Sequence, residues 1–533
     1  MWSLLADSAI IVLYFVVIAW IGLRKSRQRE SLAEFALANR SIPWWAVLAS
    51  IVAAETTAAT FLGVPAEGYR TRSILYAQVA LGTIIARVIV AYLFIKPYYR
   101  YNVYSVYELL EKRFGRATRF AGSLAFLITR ILASGIRLYI GSVVLVIAYK
   151  FLSGTNPGFR HYIIAIILMA VITTIYTAIG GIKAVIWTDV IQASMMFGGA
   201  VFALLAILYL MPHGWEGLRA GTEGFKDFKA YDWGLQGVTS FSQALKSIFG
   251  KEYTLWTALI GYVFLVMATH GTDQDLVQRM LTAPDIRQSR RSLILSGIAE
   301  LPISLVFVTI GILLYAFYKL NVDPGLPKAD NEVFAYFIVT RLPVVARGLI
   351  IAAIFATAMG SYSSALNALA TSFVRDFYGS YIRPSSSDDE YVKAARVSTA
   401  VFSVLMILVA AVAAYQVLKN PNTTIIPVAL TIFGYTYGPL LGVFLVGLLT
   451  KTRGNDKVNV IAMVAGILGV LIISGTANSV IGFLNHGLSL HIPVVNVPTI
   501  AFTWYVMIGC LITFAIAVCG STGKNVAGDA ISD

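Results

Sequence analysis

Apolar stretches of bilayer-crossing length recur about thirteen times along the chain. They lie near residues 3–23, 43–67, 74–98, 119–149, 161–179, 184–211, 254–279, 291–318, 346–374, 394–417, 424–449, 458–480 and 496–520. Such a chain cannot bury its apolar surface around one core in water. Hydrocarbon offers the backbone no hydrogen-bond partner, so only helices or a closed barrel can cross it. No period-two alternation runs through the stretches, which excludes a β-barrel and leaves an all-α polytopic membrane protein. Composition agrees: 13% of residues are charged, against about a quarter in soluble domains.

The net charge of +14 would suit a nucleic-acid binder if the basic residues formed one patch. They fall instead mainly in short loops between spans, where they act as a topology signal and make nucleic acid an unsuitable partner. The distribution puts the N-terminus outside and the C-terminus in the cytoplasm, with about thirteen spans placing the two ends on opposite sides. Arg24, Lys25, Arg27 and Arg29 follow the first apolar stretch, the reverse of a cleavable signal peptide, so 3–23 is expected to be a retained span. The two cysteines, Cys510 and Cys519, lie about 14 Å apart along one helix and match no metal-ligand spacing. Segments 212–253 and 319–345 are long enough for extra outer structure, the first as an interfacial lid. The stretch 375–393, with Pro384 to Glu390, is expected to be a solvated inner connector. Asn422-Thr423-Thr424 fits a glycosylation sequon.

Ionisable groups inside spans carry the functional information, because each costs about 3 kcal/mol at mid-bilayer unless paired or facing water. Glu55 stands in Ala53-Ala54-Glu55-Thr56-Thr57-Ala58-Ala59-Thr60, followed by Gly63 and Pro65, a run poorly suited to a continuous helix. A broken helix there frees carbonyls that can hold a cation. Arg130 and Arg137, seven residues apart, share a face and could bind a carboxylate solute, pair with Glu55, or serve structure alone. Asp189 and the hydroxyls of Ser361, Ser363 and Ser364 fall toward the cytoplasmic half, a hard-oxygen set suited to a small cation. His270 could carry a proton, touch solute or be a satisfied core histidine. Asp275 and Arg279, at i,i+4, read as a structural pair.

Four motifs occur in order on the matching spans: Ser41-Ile42-Pro43-Trp44-Trp45-Ala46 with Phe61-Leu62-Gly63; Gly180-Gly181 through Trp187-Thr188-Asp189; Gly271-Thr272-Asp273-Gln274 through Gln278-Arg279; and Ser363-Ser364-Ala365-Leu366-Asn367. In these the chain resembles the sodium/solute symporter family over roughly residues 5–520. The resemblance implies a LeuT-type fold within a single transmembrane domain spanning 1–533. Residues 43–211 would form one inverted repeat and 254–449 the other, with 3–23 and 458–520 peripheral. It implies a primary sodium site from the carbonyls of Ala53, Thr56 and Thr357 and the hydroxyl of Ser361. A second site nearer the cytoplasm would use Asp189, Ser363 and Ser364. The family usually carries another hydroxyl where this chain has Gly360, a place that water or a different coupling ion could take. Glu55 replaces an amide that contacts substrate in sugar-carrying members. An arginine on the fourth span binds a carboxylate in sialic-acid members, and either Arg130 or Arg137 could match it. Thr57, Thr60, Thr269 and His270 line the expected cavity.

The expected function is therefore sodium-coupled symport of a small polar solute (sugar, amino acid or carboxylate) into the cell by alternating access, in a prokaryotic inner membrane and as a monomer. Sodium is the coupling ion and no organic cofactor is implied. No nucleophile–base set, phosphate loop or metal cluster suggests an enzyme. A proton-coupled or uncoupled transporter of the same fold is the alternative, motivated by Gly360, Glu55 and His270; a solute sensor or a channel fits less well.

Overall fold

A computed structural model of the protein describes residues 2–24, 31–226, 228–419, 425–478, 481, 485 and 500–521. Among these, regular structure is helical apart from one isolated bridge between Arg453 and Ser521. The elements that matter for the site are α1 (Trp2–Arg24), α2 (Leu32–Leu37), α3 (Trp44–Glu55), α4 (Ala58–Thr71), α5 (Val79–Leu93), α6 (Ile95–Arg100), α7 (Tyr107–Arg113), α8 (Arg116–Ser153) and α9 (Phe159–Leu210). They are followed by α10 (Gly214–Gly221), α11 (Phe241–Gly250), α12 (Tyr262–Gly271), α13 (Gln274–Leu281), α14 (Ile286–Leu320), α15 (Asp330–Arg341), α16 (Ala346–Ser372), α17 (Asp388–Lys419), α18 (Ile425–Leu449), α19 (Asp456–Ile473) and α20 (Tyr505–Ala517).

Every expected apolar stretch contains helix, but not every one is a single spanning helix. Among the described residues, eight helices are long and apolar enough to cross a membrane alone, nine if the pair 32–40 and 44–55, bent by 114°, counts as one. Three physical causes account for most of the difference from thirteen. Helix α9 has 52 residues, about 78 Å at 1.5 Å per residue, so it covers two expected spans as one bent element. The stretches 43–67 and 254–279 are interrupted, at Thr56–Thr57 and at Thr272–Asp273. Among the described residues the apolar helices 257–271 and 502–517 are short, whereas α1, at 23 residues, has the length of a span.

Helix α16 lies at the centre: 94% of its most apolar window is buried, against 39% for α17 and 28% for α19, whose outer faces are left for lipid. Helices α1, α3, α8, α9 and α17 all pack on α16. The first helix is fastened to it by Asp7. The Asp7 carboxylate accepts the backbone amides of Val345 (3.0 Å) and Gly348 (3.2 Å) and the Arg347 guanidinium at 2.6 Å, capping the start of α16.

The segment 212–253 folds over the surface and carries α10 and α11. It is tied down by Ile74 N to Lys229 O (3.1 Å) and by Trp504 Nε1 to Ile248 O (3.2 Å). The segment 319–345 carries α15. The expected inner connector is shorter than 375–393: wide helical turns continue from Phe373 to Ile382. They persist because the buried Asp376 carboxylate is held by Arg119 at 2.8 Å and by the hydroxyls of Ser105 and Ser123, each at 2.7 Å. Asn422, Thr423 and Thr424 lie outside the described residues.

The bend in α9 falls at Gly181, with φ +53° and ψ −156°, a backbone state essentially reserved for glycine. A Cβ there would stand 2.7 Å from the Phe35 carbonyl oxygen. Gly181→Ala is expected to cost about 1–3 kcal/mol of backbone strain and to lower the thermal unfolding midpoint in detergent. An unchanged midpoint would show that the bend does not need glycine.

Candidate functional site

The break between α3 and α4 is visible in the backbone. Thr56 (φ −81°, ψ 95°) and Thr57 (φ −93°, ψ 171°) are extended. Thr56 N still reaches Val52 O at 3.0 Å and Phe61 N reaches Thr57 O at 2.9 Å. Among the described residues no backbone amide closes on the carbonyls of Ala53 and Thr56, the acceptors a helix end leaves open. Helix α3 packs on α16, which carries Thr357 and Ser361. Both hydroxyls fold back on their own helix, Thr357 to Ile354 O (2.7 Å) and Ser361 to Ala358 O (3.1 Å).

Beside the break lies a cavity of about 410 Å³, within the range of small-molecule sites. Glu55, Thr57, Thr60, Arg130, Arg137 and Thr269 line it, as the sequence predicts. His270 does not. It is 1% exposed, with Nε2 2.8 Å from the Glu55 carboxylate and Nδ1 against Val266 O at 3.1 Å. Its position one residue from Thr269 turns it to the back of the helix, so it touches a cavity group and not the cavity itself.

Glu55 pairs with neither Arg130 nor Arg137. Its partner is Arg87 of α5, whose Nη2 lies 2.5 and 2.7 Å from the two carboxylate oxygens and whose Nη1 donates to Ser296 Oγ at 2.5 Å. Arg87 is 1% exposed while the Glu55 side chain keeps 20% of its surface. The carboxylate is thus neutralised from behind and open toward the cavity. An arginine inside an apolar stretch is the available signal for Arg87; its partner, 32 residues away, is not readable.

The two fourth-span arginines differ sharply. Arg130 is 3% exposed and bound to two carboxylates, Asp273 at 2.8 Å and Asp275 in a shorter contact. Arg137 has no carboxylate within salt-bridge distance among the described residues; its guanidinium sits 5.0 Å over the Phe433 ring. Glu300 also lines the cavity without a Lys or Arg partner among the described residues, accepting only Ser304 Oγ at 3.4 Å. The cavity therefore presents one cation and one carboxylate that the fold itself does not satisfy.

Inward of the cavity the charges form a chain. Asp275 binds Arg279 at 2.5 Å, and Arg279 binds Asp189 at 3.1 Å. Asp189 also accepts Ser50 Oγ at 2.6 Å, while Arg279 Nε donates to the same hydroxyl at 2.9 Å. The pair Asp275–Arg279 forms as expected, though as one link in a longer network. Ser364 donates to Asp275 and Ser363 to Gly360 O at 3.0 Å. Of the predicted inner set, then, Asp189 and the two serines are separately engaged, and one Asp189 oxygen remains unpartnered.

The family model described as sodium:solute symporter family matches residues 35–469. A sodium/sialic acid symporter of Proteus mirabilis is 28% identical over 467 residues, covering 87% of this chain and 88% of that protein. A sodium/glucose cotransporter of Vibrio parahaemolyticus is 28% identical over 487 residues, covering 86% and 83%. The solved structure of a substrate-bound, outward-open Na+-coupled sialic acid symporter superposes with a TM-score of 0.79 at 25% identity, covering 96% of this chain and 97% of that one. The LeuT-type all-helical fold expected from the sequence is the fold observed.

Removing Arg130 would leave two buried carboxylates facing each other, whereas removing Arg137 breaks no ion pair. Arg130→Gln is expected to lower thermal stability by the roughly 3–5 kcal/mol typical of a broken buried pair. Arg137→Gln should stay near the parent melting midpoint. Equal midpoints for the two variants in differential scanning fluorimetry would contradict the difference in pairing.

Proposed function

This chain belongs to the sodium:solute symporter family and is a sodium-coupled membrane symporter; we propose that its solute is a small carboxylate-bearing molecule with hydroxyl or ammonium donors. The observation that carries the proposal is Arg137, a cavity guanidinium without a carboxylate partner among the described residues. A bidentate carboxylate would satisfy it. Glu300 and the open edge of Glu55 would accept hydrogen bonds from the other end of the solute. Thr57, Thr60 and Thr269 would complete the polar lining, with His270 holding Glu55 from behind. A relative that carries sialic acid is consistent with this choice. A neutral sugar would leave Arg137 without a counter-charge.

The primary sodium site would use the carbonyls of Ala53, Thr56 and Thr357 with the hydroxyl of Ser361. The open carbonyls at the helix break support it. Asp189, with Ser363 and Ser364, would form the inner cation site. Binding at these points would favour one facing state, and the inward sodium gradient would drive the cycle. The protein would act as a monomer in a prokaryotic inner membrane, N-terminus outside and C-terminus in the cytoplasm. In that orientation the cavity lining would extend from outer-end residues Glu67, Tyr76, Tyr253 and Phe502 inward to Asp273 and Asp275. The two inverted repeats, 43–211 and 254–449, would rock about it.

Two measurements in proteoliposomes test this. Arg137→Gln is expected to raise KM for the acid at least about tenfold, the loss of one hydrogen bond to a charged group, and to leave sodium half-saturation unchanged. Asp189→Ala is expected to do the reverse. If Arg137→Gln transports with parental KM and kcat, the carboxylate reading fails.

A further inference from the structure

Where α9 faces α16, three buried side-chain oxygens have no hydrogen-bond partner among the described residues: Asp189 Oδ1, Gln192 Oε1 and Tyr176 Oη. None of the three residues is more than 1% exposed. Asp189 and Gln192 are three residues apart beyond the Gly181 bend and so share a face. The other Asp189 oxygen is taken by Ser50 and Arg279. Gln192 donates its amide nitrogen to Tyr14 Oη at 3.4 Å, which turns its oxygen the opposite way.

Both free oxygens converge beside Gly360. The point where a Cβ of residue 360 would stand is 2.7 Å from Gln192 Oε1 and 3.4 Å from Asp189 Oδ1. A residue with a side chain at 360 would push the Gln192 oxygen out of this space. Glycine leaves the space to Gln192. A buried acceptor left without a donor costs about 1–3 kcal/mol, and the one proton of the nearby Tyr176 hydroxyl can serve only one of these two oxygens. The surrounding charges sharpen the demand. Asp189 shares its one salt-bridge cation among the described residues, Arg279, with Asp275, so its charge is only partly offset. Water would satisfy the oxygens but not that charge. A monovalent cation satisfies both, and a carboxylate oxygen with an amide oxygen is the hard-oxygen environment such an ion takes.

We propose that Gln192 is a sodium ligand, its Oε1 joining Asp189 Oδ1 beside Gly360. This rests on the inner cation site proposed above and assigns it a further ligand on α9. Gln192 and a hydroxyl at 360 are then alternatives for one coordination position.

The test measures sodium binding directly, by displacement of radioactive sodium from the purified full-length protein and by its thermal shift in NaCl against choline chloride. Gln192→Leu is expected to raise the sodium half-saturation about tenfold, worth about 1.4 kcal/mol. Gln192→Glu, which keeps an oxygen in place and adds charge, should bind at least as tightly as the parent. Gly360→Ser in the Gln192→Leu background returns an oxygen and should recover most of the loss. Parental sodium affinity in Gln192→Leu, or no recovery in the double variant, overturns the assignment and leaves water only, or packing, as the role of Gln192. If Gln192→Leu does not fold, a Gln192→Glu protein with weakened sodium binding overturns it equally. A parent protein that does not bind sodium at all would instead remove the underlying sodium reading.

Discussion

The ion-pair chain Arg130–Asp275–Arg279–Asp189 sets most of what surrounds it. It joins α8, α13 and α9, with Ser50 adding α3 and Ser364 adding α16. Isolated, any of these charges would be prohibitive in the interior of a membrane protein. Linked, they hold five helices in register through directional contacts that apolar packing cannot provide, because lipid tails and leucine side chains compete equally for the same surfaces. The geometry also explains the break between α12 and α13. Asp273, the N-cap of α13, accepts Asp275 N at 2.9 Å while its carboxylate faces Arg130 and Tyr437. An unbroken helix would place Asp273 and Asp275 on different faces, and Arg130 could not reach both.

The same economy governs the cavity. Glu55 ends α3 at the point where the helix loses its own hydrogen bonds, and Arg87 with His270 fixes its carboxylate from the protein side. Pairing removes the charge penalty while leaving the open edge to accept hydrogen bonds from a solute. The LeuT-type arrangement thus concentrates free carbonyls, paired charges and the unsatisfied groups Arg137 and Glu300 around one interruption, while α17 and α19 present featureless apolar faces to lipid.

Much of this is legible in the order of the amino acids. Hydropathy locates the apolar stretches, since twenty apolar residues have few alternatives to a membrane helix. The Thr56–Thr57 break is readable from hydroxylated residues followed by glycine and proline, whereas a cavity position for Thr57, Thr60 and Thr269 is implied only by the resemblance to a symporter family. Pairing is not readable in this way. Arg87 meets Glu55 across 32 residues, Arg130 meets Asp275 across 145, and Ser50 meets Asp189 across 139. No local period encodes such contacts. His270 shows the limit at finer scale: its span is evident, and only the helical phase, set by packing, decides that it faces Glu55 and not the cavity. The number of separate helices is hidden for a related reason, since whether two apolar stretches join through Gly181 depends on the Phe35 backbone packed against it.

The distribution of paired and unpaired charge also bears on what kind of solute fits. Had Glu55 been the only unsatisfied carboxylate, the cavity would favour a simple cation, and had Arg87 been unpaired, a simple anion. Instead Glu55 and Arg87 cancel, Arg130 is saturated by two aspartates, and Arg137 and Glu300 remain, a guanidinium and a carboxyl without a salt bridge among the described residues. A solute that bears one negative end and several donors removes both penalties at once, whereas a plain monocarboxylate satisfies only Arg137. Discrimination would then arise mainly from the cost of leaving a buried charge unmatched, which is larger than the gain from any added apolar contact. On the carboxylate reading proposed above, the polar ends of the solute, and not its bulk, would be what this cavity measures.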